Sequence, residues 1–285
     1  MYEQASEVLA SGLHSSPTHI FGIDFSGAID AGKHIWIAEG TVADSCLNIT
    51  DCRSASDFLK VSPARDVTFP ALVEFIASLY DAALGFDFPF GLPASMVDED
   101  SWSVFVAAFP SRYPTLAHFD HDCHAASGGK EWKRLCDVET RAPFSPYNRR
   151  VISQTYYGIR DLLHPLLKAG QASVPPIHHV AGNVPWLLEV CPAGALKVAG
   201  LYKPPYKGRT PSHYDARLRI LKSLENDGSV RVVSRALRDT ILSNAPGDAL
   251  DSVVAAAVTV RIIGNPDCIE AKSGEPYNVE GCIYV

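Results

Sequence analysis

The chain contains no long apolar run. Its longest, residues 253–263, is broken by Thr259 and Arg261 and falls short of the roughly 20 residues that span a bilayer. The opening "MYEQASEVLASGLHSSP" lacks a basic start followed by a continuous apolar core, which argues against a secretory signal. No CxxC pair occurs among the seven scattered cysteines, Cys46, Cys52, Cys123, Cys136, Cys191, Cys268 and Cys282, and an odd number leaves at least one thiol free, as suits a reducing compartment. Positive charge is not in excess either. The 25 Lys and Arg stand against 32 Asp and Glu, a formal net charge of −7, which disfavours generic coating of nucleic acid because phosphates are bound chiefly by clustered basic residues. There is no internal repeat of useful length and no low-complexity segment. These absences leave the expectation of a cytoplasmic protein with no membrane association; they do not bear on oligomeric state.

What is present is a chain of 285 residues, 47% hydrophobic, enough for a sizeable core in one large domain or two modest ones. Basic residues concentrate in two stretches, one with Lys130, Lys133, Arg134, Arg141, Arg149 and Arg150, the other running from Lys197 through Lys207 and Arg217 to Lys222. A solvated charged face accounts equally for either.

Periodicity gives the elements. "HIFGIDFSGA", residues 19–28, runs apolar into Asp24 and then a Ser26-Gly27 turn, a buried strand closed by an acid. "KHIWIAEG" and "SCLNIT" predict two more strands in an antiparallel meander, with turns at Gly32 and Asp44. "TFPALVEFIASLY" predicts a helix capped by Thr68, burying Phe69, Leu72, Val73, Ile76 and Tyr80. "AALGFDFPFGLP" repeats the opening design with Asp87, and "PWLLEVCPAGAL" repeats it with Glu189. Between them, residues 94–185 read as an insertion with one good helix over residues 151–167. "PSHYDARLRILKSLE", "SVRVVSRALRDTILSNA" and "PGDALDSVVAAAVTVRII" predict helices, and the final "EGCIYV" suits an edge strand.

Ligand chemistry in open α/β sheets gathers outside the carboxyl ends of strands, where Asp24, Asp87 and Glu189 fall. Asp248 and Asp251, three apart on a helix, share a face and can point at one ion. Mg²⁺ or Mn²⁺ takes such oxygen ligands, and two ions stabilise the attacking and leaving oxygens of phosphodiester cleavage. The other readings stay open at this point. Asp248 and Asp251 suit helix capping, Asp24 and Asp87 suit turns, and Glu189 suits an ion pair with an arginine.

The landmarks "GIDFSGA", "GFDFPFGLP", "LEVCPAGAL", "GDALDSVVAAAV" and "EGCIYV" resemble, in order and across nearly the whole chain, those of the domain-of-unknown-function 429 family, described as predicted nucleases with an RNase H-like fold. The middle stretch "KEWKRLCDVETRAPFSPYNRRVISQTYYGI" resembles that family's middle segment. The resemblance implies one RNase H-like domain over residues 1–285: an α/β fold with a mixed five-stranded sheet, an antiparallel meander followed by parallel strands, helices on both faces and a largely helical insertion. It further implies metal ligands from the first strand (Asp24), the fourth (Asp87) and the last helix (Asp248 and Asp251), with Glu189 outside that scheme and Glu74 standing where a further acid belongs. The expected activity is Mg²⁺- or Mn²⁺-dependent hydrolysis of nucleic acid, DNA or RNA. Asp24 would bridge the ions, Asp87 and Asp248 complete the shell, Asp251 share or orient, and Glu189 ligate or hold a water. Lys130, Arg149 and Arg150 are candidate phosphate contacts, with Tyr147 or Tyr156 for stacking on bases.

Two competing functions remain: an ATP-binding phosphotransferase of the actin-like or sugar-kinase kind, which "GIDFSGA" suits loosely although no second phosphate loop is present, and a non-catalytic binding module that keeps the sheet. "HFDHDCH" carries His118, His121, Cys123 and His124 but has no second half to close a zinc shell, and reads as a polar loop. Cys191 reads as a small hydrophobe, and Trp36, Trp186, Phe86, Phe88 and Phe90 as packing residues.

Overall fold

The computed structural model of the chain describes residues 17–285. Residues 1–16, on which the argument against a secretory signal rests, lie outside the described residues.

The apolar runs become strands. β1 (His19–Asp24), β2 (Trp36–Ala43), β3 (Cys46–Ser54), β4 (Ala82–Asp87), β5 (Trp186–Val190), β6 (Val230–Val232) and β7 (Ile283–Tyr284) form one sheet in the order β6-β3-β2-β1-β4-β5-β7. β2 is antiparallel to β1 and β3, and every other neighbouring pair is parallel. The meander is as expected. Asp44 and Ser45, both at positive φ (51° and 62°), form the two-residue turn whose twist matches an antiparallel pair.

The sheet has seven strands rather than five. β7 is the edge strand expected from "EGCIYV", paired to β5. β6 lies in a stretch expected to be wholly helical. Its three residues pair with Leu47, Asn48 and Ile49 of β3, and the helix starts only after Ser234, whose hydroxyl accepts from the Leu237 N–H.

Among the helices of the described residues, those used below are α1 (Arg65–Ala77), α2 (Trp102–Arg112), α3 (Leu116–Ala126), α4 (Leu135–Glu139), α5 (Ile152–Tyr157), α6 (Pro192–Val198), α7 (Pro211–Asn226), α8 (Arg235–Ser243) and α9 (Asp248–Ile263). Alternation along the strands splits the core in two. Phe21, Ile23, Leu84 and Phe86 face α1, α2 and α5, while Ile20, Ala83, Leu188 and Val190 face α6 through α9. Helices thus cover both faces, and none among the described residues is long and apolar enough to cross a membrane.

Three local expectations are corrected. α1 begins at Arg65, not after Thr68, because the Arg65 N–H is held by Ile29 O at 2.8 Å; Thr68 is buried and donates to Ser62 O, and Tyr80 lies past the helix, 75% exposed. "HFDHDCH" is no loop but the body of α3, started by Thr115, whose hydroxyl accepts from the His118 N–H. The helix expected over residues 151–167 is present, yet α5 passes through a π-helical turn, Gly158–Leu163, before a last α turn, His164–Lys168.

One contact sets the depth of the fold. A Cβ on Gly22 of β1 would stand 1.9 Å from Ser252 O and 2.3 Å from the Ala256 nitrogen; one on Gly85, its register partner on β4, would stand 2.1 Å from Thr259 Oγ1. The main chain of α9 therefore rests on two bare strand positions, with Ser252, Ala255, Ala256 and Thr259 as its contact face. Since the clash is with backbone rather than a movable side chain, Gly22→Val should cost at least about 1–3 kcal/mol in urea denaturation. Wild-type stability in that variant would show that α9 is not seated this closely.

Candidate functional site

Asp24 and Asp87 end β1 and β4 and are direct register partners on parallel neighbours, so strand spacing alone holds their backbones roughly 5 Å apart. α9, seated on the same two strands, brings Asp248 and Asp251 in its first turns. Neither aspartate caps the helix. The N-cap is Gly247 at φ 93°, and Asn244 Oδ1 accepts from the N–H groups of Gly247 (2.9 Å) and Ala249 (3.2 Å), so the capping role belongs to Asn244.

The partners of these acids are few. Asp251 is buried; its Oδ1 accepts from Tyr206 Oη at 2.7 Å, and its Oδ2 lies 2.6 Å from Lys207 Nζ. The side chains of Asp24, Asp87 and Asp248 make no hydrogen bond or ion pair among the described residues, although Asp24 is only 9% exposed. Burial pushes the Asp24 carboxyl well above its ordinary range, with Asp251, Asp87 and Asp248 adding to the rise and Lys207 opposing it. Asp87 is pushed up to about 7 by burial and then by Asp251, again against Lys207. Asp248 is raised by burial, with Lys207 opposing. Four carboxylates thus share one ammonium.

That ammonium is firmly presented. Arg217, 2% exposed on α7, donates to Tyr206 O (2.6 Å), Gly208 O (3.0 Å) and Leu242 O (2.8 Å), fixing the loop main chain, and the Gly208 N–H is held by Ala245 O at 2.7 Å. Tyr206 and Lys207 are the residues that reading the sequence missed. Lys207 is visible in the second basic stretch, but nothing in its local pattern aims it at Asp251.

Buried carboxylates in excess over cations suit Mg²⁺ or Mn²⁺ in donor type and in charge. Among the described residues no group of three or more His, Cys, Asp and Glu side chains is arranged to hold a metal as they stand, and the Lys207 ammonium stands on Asp251.

Glu189 does not join them. Its two oxygens accept from Arg134 Nη1 and Nη2 (2.8 and 2.5 Å) and from the Phe90 N–H (2.9 Å), and Arg134, fully buried, also grips Asp137. The catalytic reading of Glu189 therefore gives way to the ion-pair one: both its oxygens are held, by Arg134 of the insertion and by the main chain of Phe90. Tyr147 is likewise corrected. It is fully buried, its hydroxyl donating to Lys130 O at 2.8 Å and accepting from the Trp132 N–H at 2.5 Å, so its ring has no face free for a base. Tyr156 is also fully buried. Lys130, Arg149 and Arg150 are exposed. The two arginines precede α5, which is tied to the loop after Asp24 by Ser153 Oγ donating to Gly27 O (2.9 Å) and by Gln154 Nε2 donating to Phe25 O. Glu74 sits in α1, on an element packed with the opposite core cluster from α9. Cys191 is buried, its sulfur accepting from the Gly194 N–H at the start of α6.

No family model, no curated protein and no solved structure matches the chain.

Removing one partner of a buried ion group strands the others, so Arg134→Met should cost about 3–5 kcal/mol in denaturant unfolding; a loss under 1 kcal/mol would mean the Glu189 charge is solvated. A pH effect follows from the raised carboxyls. Asp24 and Asp87 hold their protons more tightly folded than unfolded, so their contribution to stability is full below the ordinary carboxylate range and is lost as pH rises through the raised folded values, about 7 for Asp87. In a chelator, the melting temperature of the wild type should fall between about pH 5 and about pH 8, and that of Asp87→Asn should fall less. Parallel pH profiles would contradict the repulsion described.

Proposed function

We propose that this protein is a Mg²⁺- or Mn²⁺-dependent nuclease of RNase H-like fold, hydrolysing phosphodiester bonds in nucleic acid. The observation that carries the proposal is the meeting of Asp24 and Asp87, in register at the ends of parallel strands, with Asp248 and Asp251 from the helix seated on those strands. The fold part of the reading is supported by the inner order β3-β2-β1-β4-β5 with only β2 reversed, which is the arrangement the resemblance to the domain-of-unknown-function 429 family implies; β6 and β7 extend it at its edges. All seven cysteines are free thiols, which supports a cytoplasmic setting.

In this mechanism Asp24 and Asp87 supply oxygen ligands from the sheet, and Asp248 and Asp251 supply them from α9. Tyr206 keeps Asp251 oriented through its hydroxyl. The chemistry that a bound divalent ion contributes is activation of water and stabilisation of charge on the departing oxygen. Arg149, Arg150 and Lys130 contact backbone phosphates, which fixes the strand without reading its sequence. Glu189 and Tyr147 take no part beyond holding the fold.

The test is cleavage of mixed DNA and RNA substrates with each ion. Wild type should cut, and Asp24→Asn should lose cleavage while melting no lower than wild type, because it removes a buried unpaired charge. Full activity in Asp24→Asn would end this reading. Saturable ATP binding without cleavage by the wild type would move it to the phosphotransferase class.

A further inference from the structure

The acidic cluster has its own cation, and that cation is covalently attached. Lys207 Nζ lies 2.6 Å from Asp251 Oδ2, and the Lys207 charge acts also on Asp24, Asp87 and Asp248. Asp24 is the independent sign that a ligand is missing from this balance. It is nine-tenths buried, its side chain makes no hydrogen bond among the described residues, and it stands in register with Asp87 beneath the helix that carries Asp248 and Asp251.

Lys207 and a divalent ion compete for the same atom. An ammonium only donates hydrogen bonds, so it occupies the Asp251 oxygen without offering a lone pair to a metal, and its charge repels one. With both on Asp251 Oδ2 two positive charges would stand close together, which disfavours holding them at once. What surrounds Lys207 allows it to leave alone. Its side chain is 53% exposed, so the ammonium has solvent to retreat into, whereas the main chain of Tyr206 and Gly208 is pinned by buried Arg217. Tyr206 Oη stays on Asp251 Oδ1 when the ammonium goes, so the carboxylate keeps its direction. A rotamer change of one long side chain, which regains conformational entropy in water, is all the exchange needs.

We propose that Lys207 is a tethered placeholder for the divalent cation: its ammonium balances the aspartates while the metal is absent and is displaced to solvent when the metal enters. The proposal rests on the metal site put forward above. It assigns Lys207 a positioning role toward metal entry rather than a ligand role.

Mn²⁺ binding to the full chain by titration calorimetry tests it, on wild type, Lys207→Met, Lys207→Gln and the exposed control Lys203→Met, each also melted in a chelator. Both Lys207 variants should bind Mn²⁺ roughly twofold to fivefold more tightly than wild type, the gain expected from removing one partly exposed ion pair as competitor. They should melt below wild type in the chelator and draw level as Mn²⁺ is added, with Lys203→Met unchanged throughout. Folded Lys207 variants that bind Mn²⁺ equally or more weakly would overturn the placeholder while leaving the metal site standing. Failure of wild type and both variants to bind would overturn the placeholder and the nuclease reading together.

Discussion

Everything at the site depends on how closely α9 lies on β1 and β4. Gly22 and Gly85 sit side by side across the strand pair, and any Cβ at either would meet the helix's own backbone or Thr259. The helix answers with small residues, Ser252, Ala255 and Ala256, along that face. Local sequence, register and packing therefore act in series. The register puts Asp24 beside Asp87, the bare positions bring the helix down, and the positive φ of Gly247 with the Asn244 cap starts the helix so that Asp248 and Asp251 are released from capping. Losing the close approach would leave four acids on the same elements but no longer neighbours.

Such an arrangement is costly to fold. Carboxylates that share a site resist ionising together, and one half-exposed lysine does not offset four of them. The protein solves the same problem differently one strand away. Glu189 lies one residue before the end of β5, in register with Phe86 rather than Asp87 and so on the other face of the sheet; it too is buried, yet it is paired by Arg134 and the Phe90 N–H. Two adjacent strand ends thus carry acids of the same design with opposite fates. The paired acid holds structure, whereas the aspartates keep carboxyls without a partner of their own. Burial raises the Glu189 carboxyl as it raises Asp24 and Asp87, so what distinguishes the aspartates is the lack of side-chain partners rather than burial itself.

How much of this was legible in the sequence follows from the range of the interactions. Strands that end in an acid before a Gly or Pro exit could be seen locally, and so could the three-residue spacing of Asp248 and Asp251, because period and spacing are carried by consecutive residues. β6 was hidden, since three residues inside an amphipathic stretch give no period to read; its pairing with β3 is decided in space. The start of α1 was misplaced for the same reason, its first turn being tethered to Ile29 across the fold. Glu189 carried the same local signature as Asp87, and what separates them is the register, which pairs Glu189 with Phe86 and turns it to the other face, and the position of Arg134 in the insertion. Tyr147 looked like a stacking residue because it lies among basic residues, whereas its hydroxyl is consumed by the main chain of Lys130 and Trp132. Lys207 was lost in a run of basic residues for want of any signal of direction.

The insertion, then, is more than a covering for one face of the sheet. Through Arg134 it silences Glu189, and through α5 it reaches the loop that follows Asp24, where Ser153 and Gln154 donate to the carbonyls of Gly27 and Phe25. Those bonds end on main chain, so Arg149 and Arg150 are held relative to Asp24 by groups that no side-chain substitution in β1 removes. Gly27 makes the approach possible, for a Cβ there would stand 2.3 Å from Ser153 O. The segment that makes Glu189 structural is accordingly also the one that holds the start of α5 against the loop after Asp24.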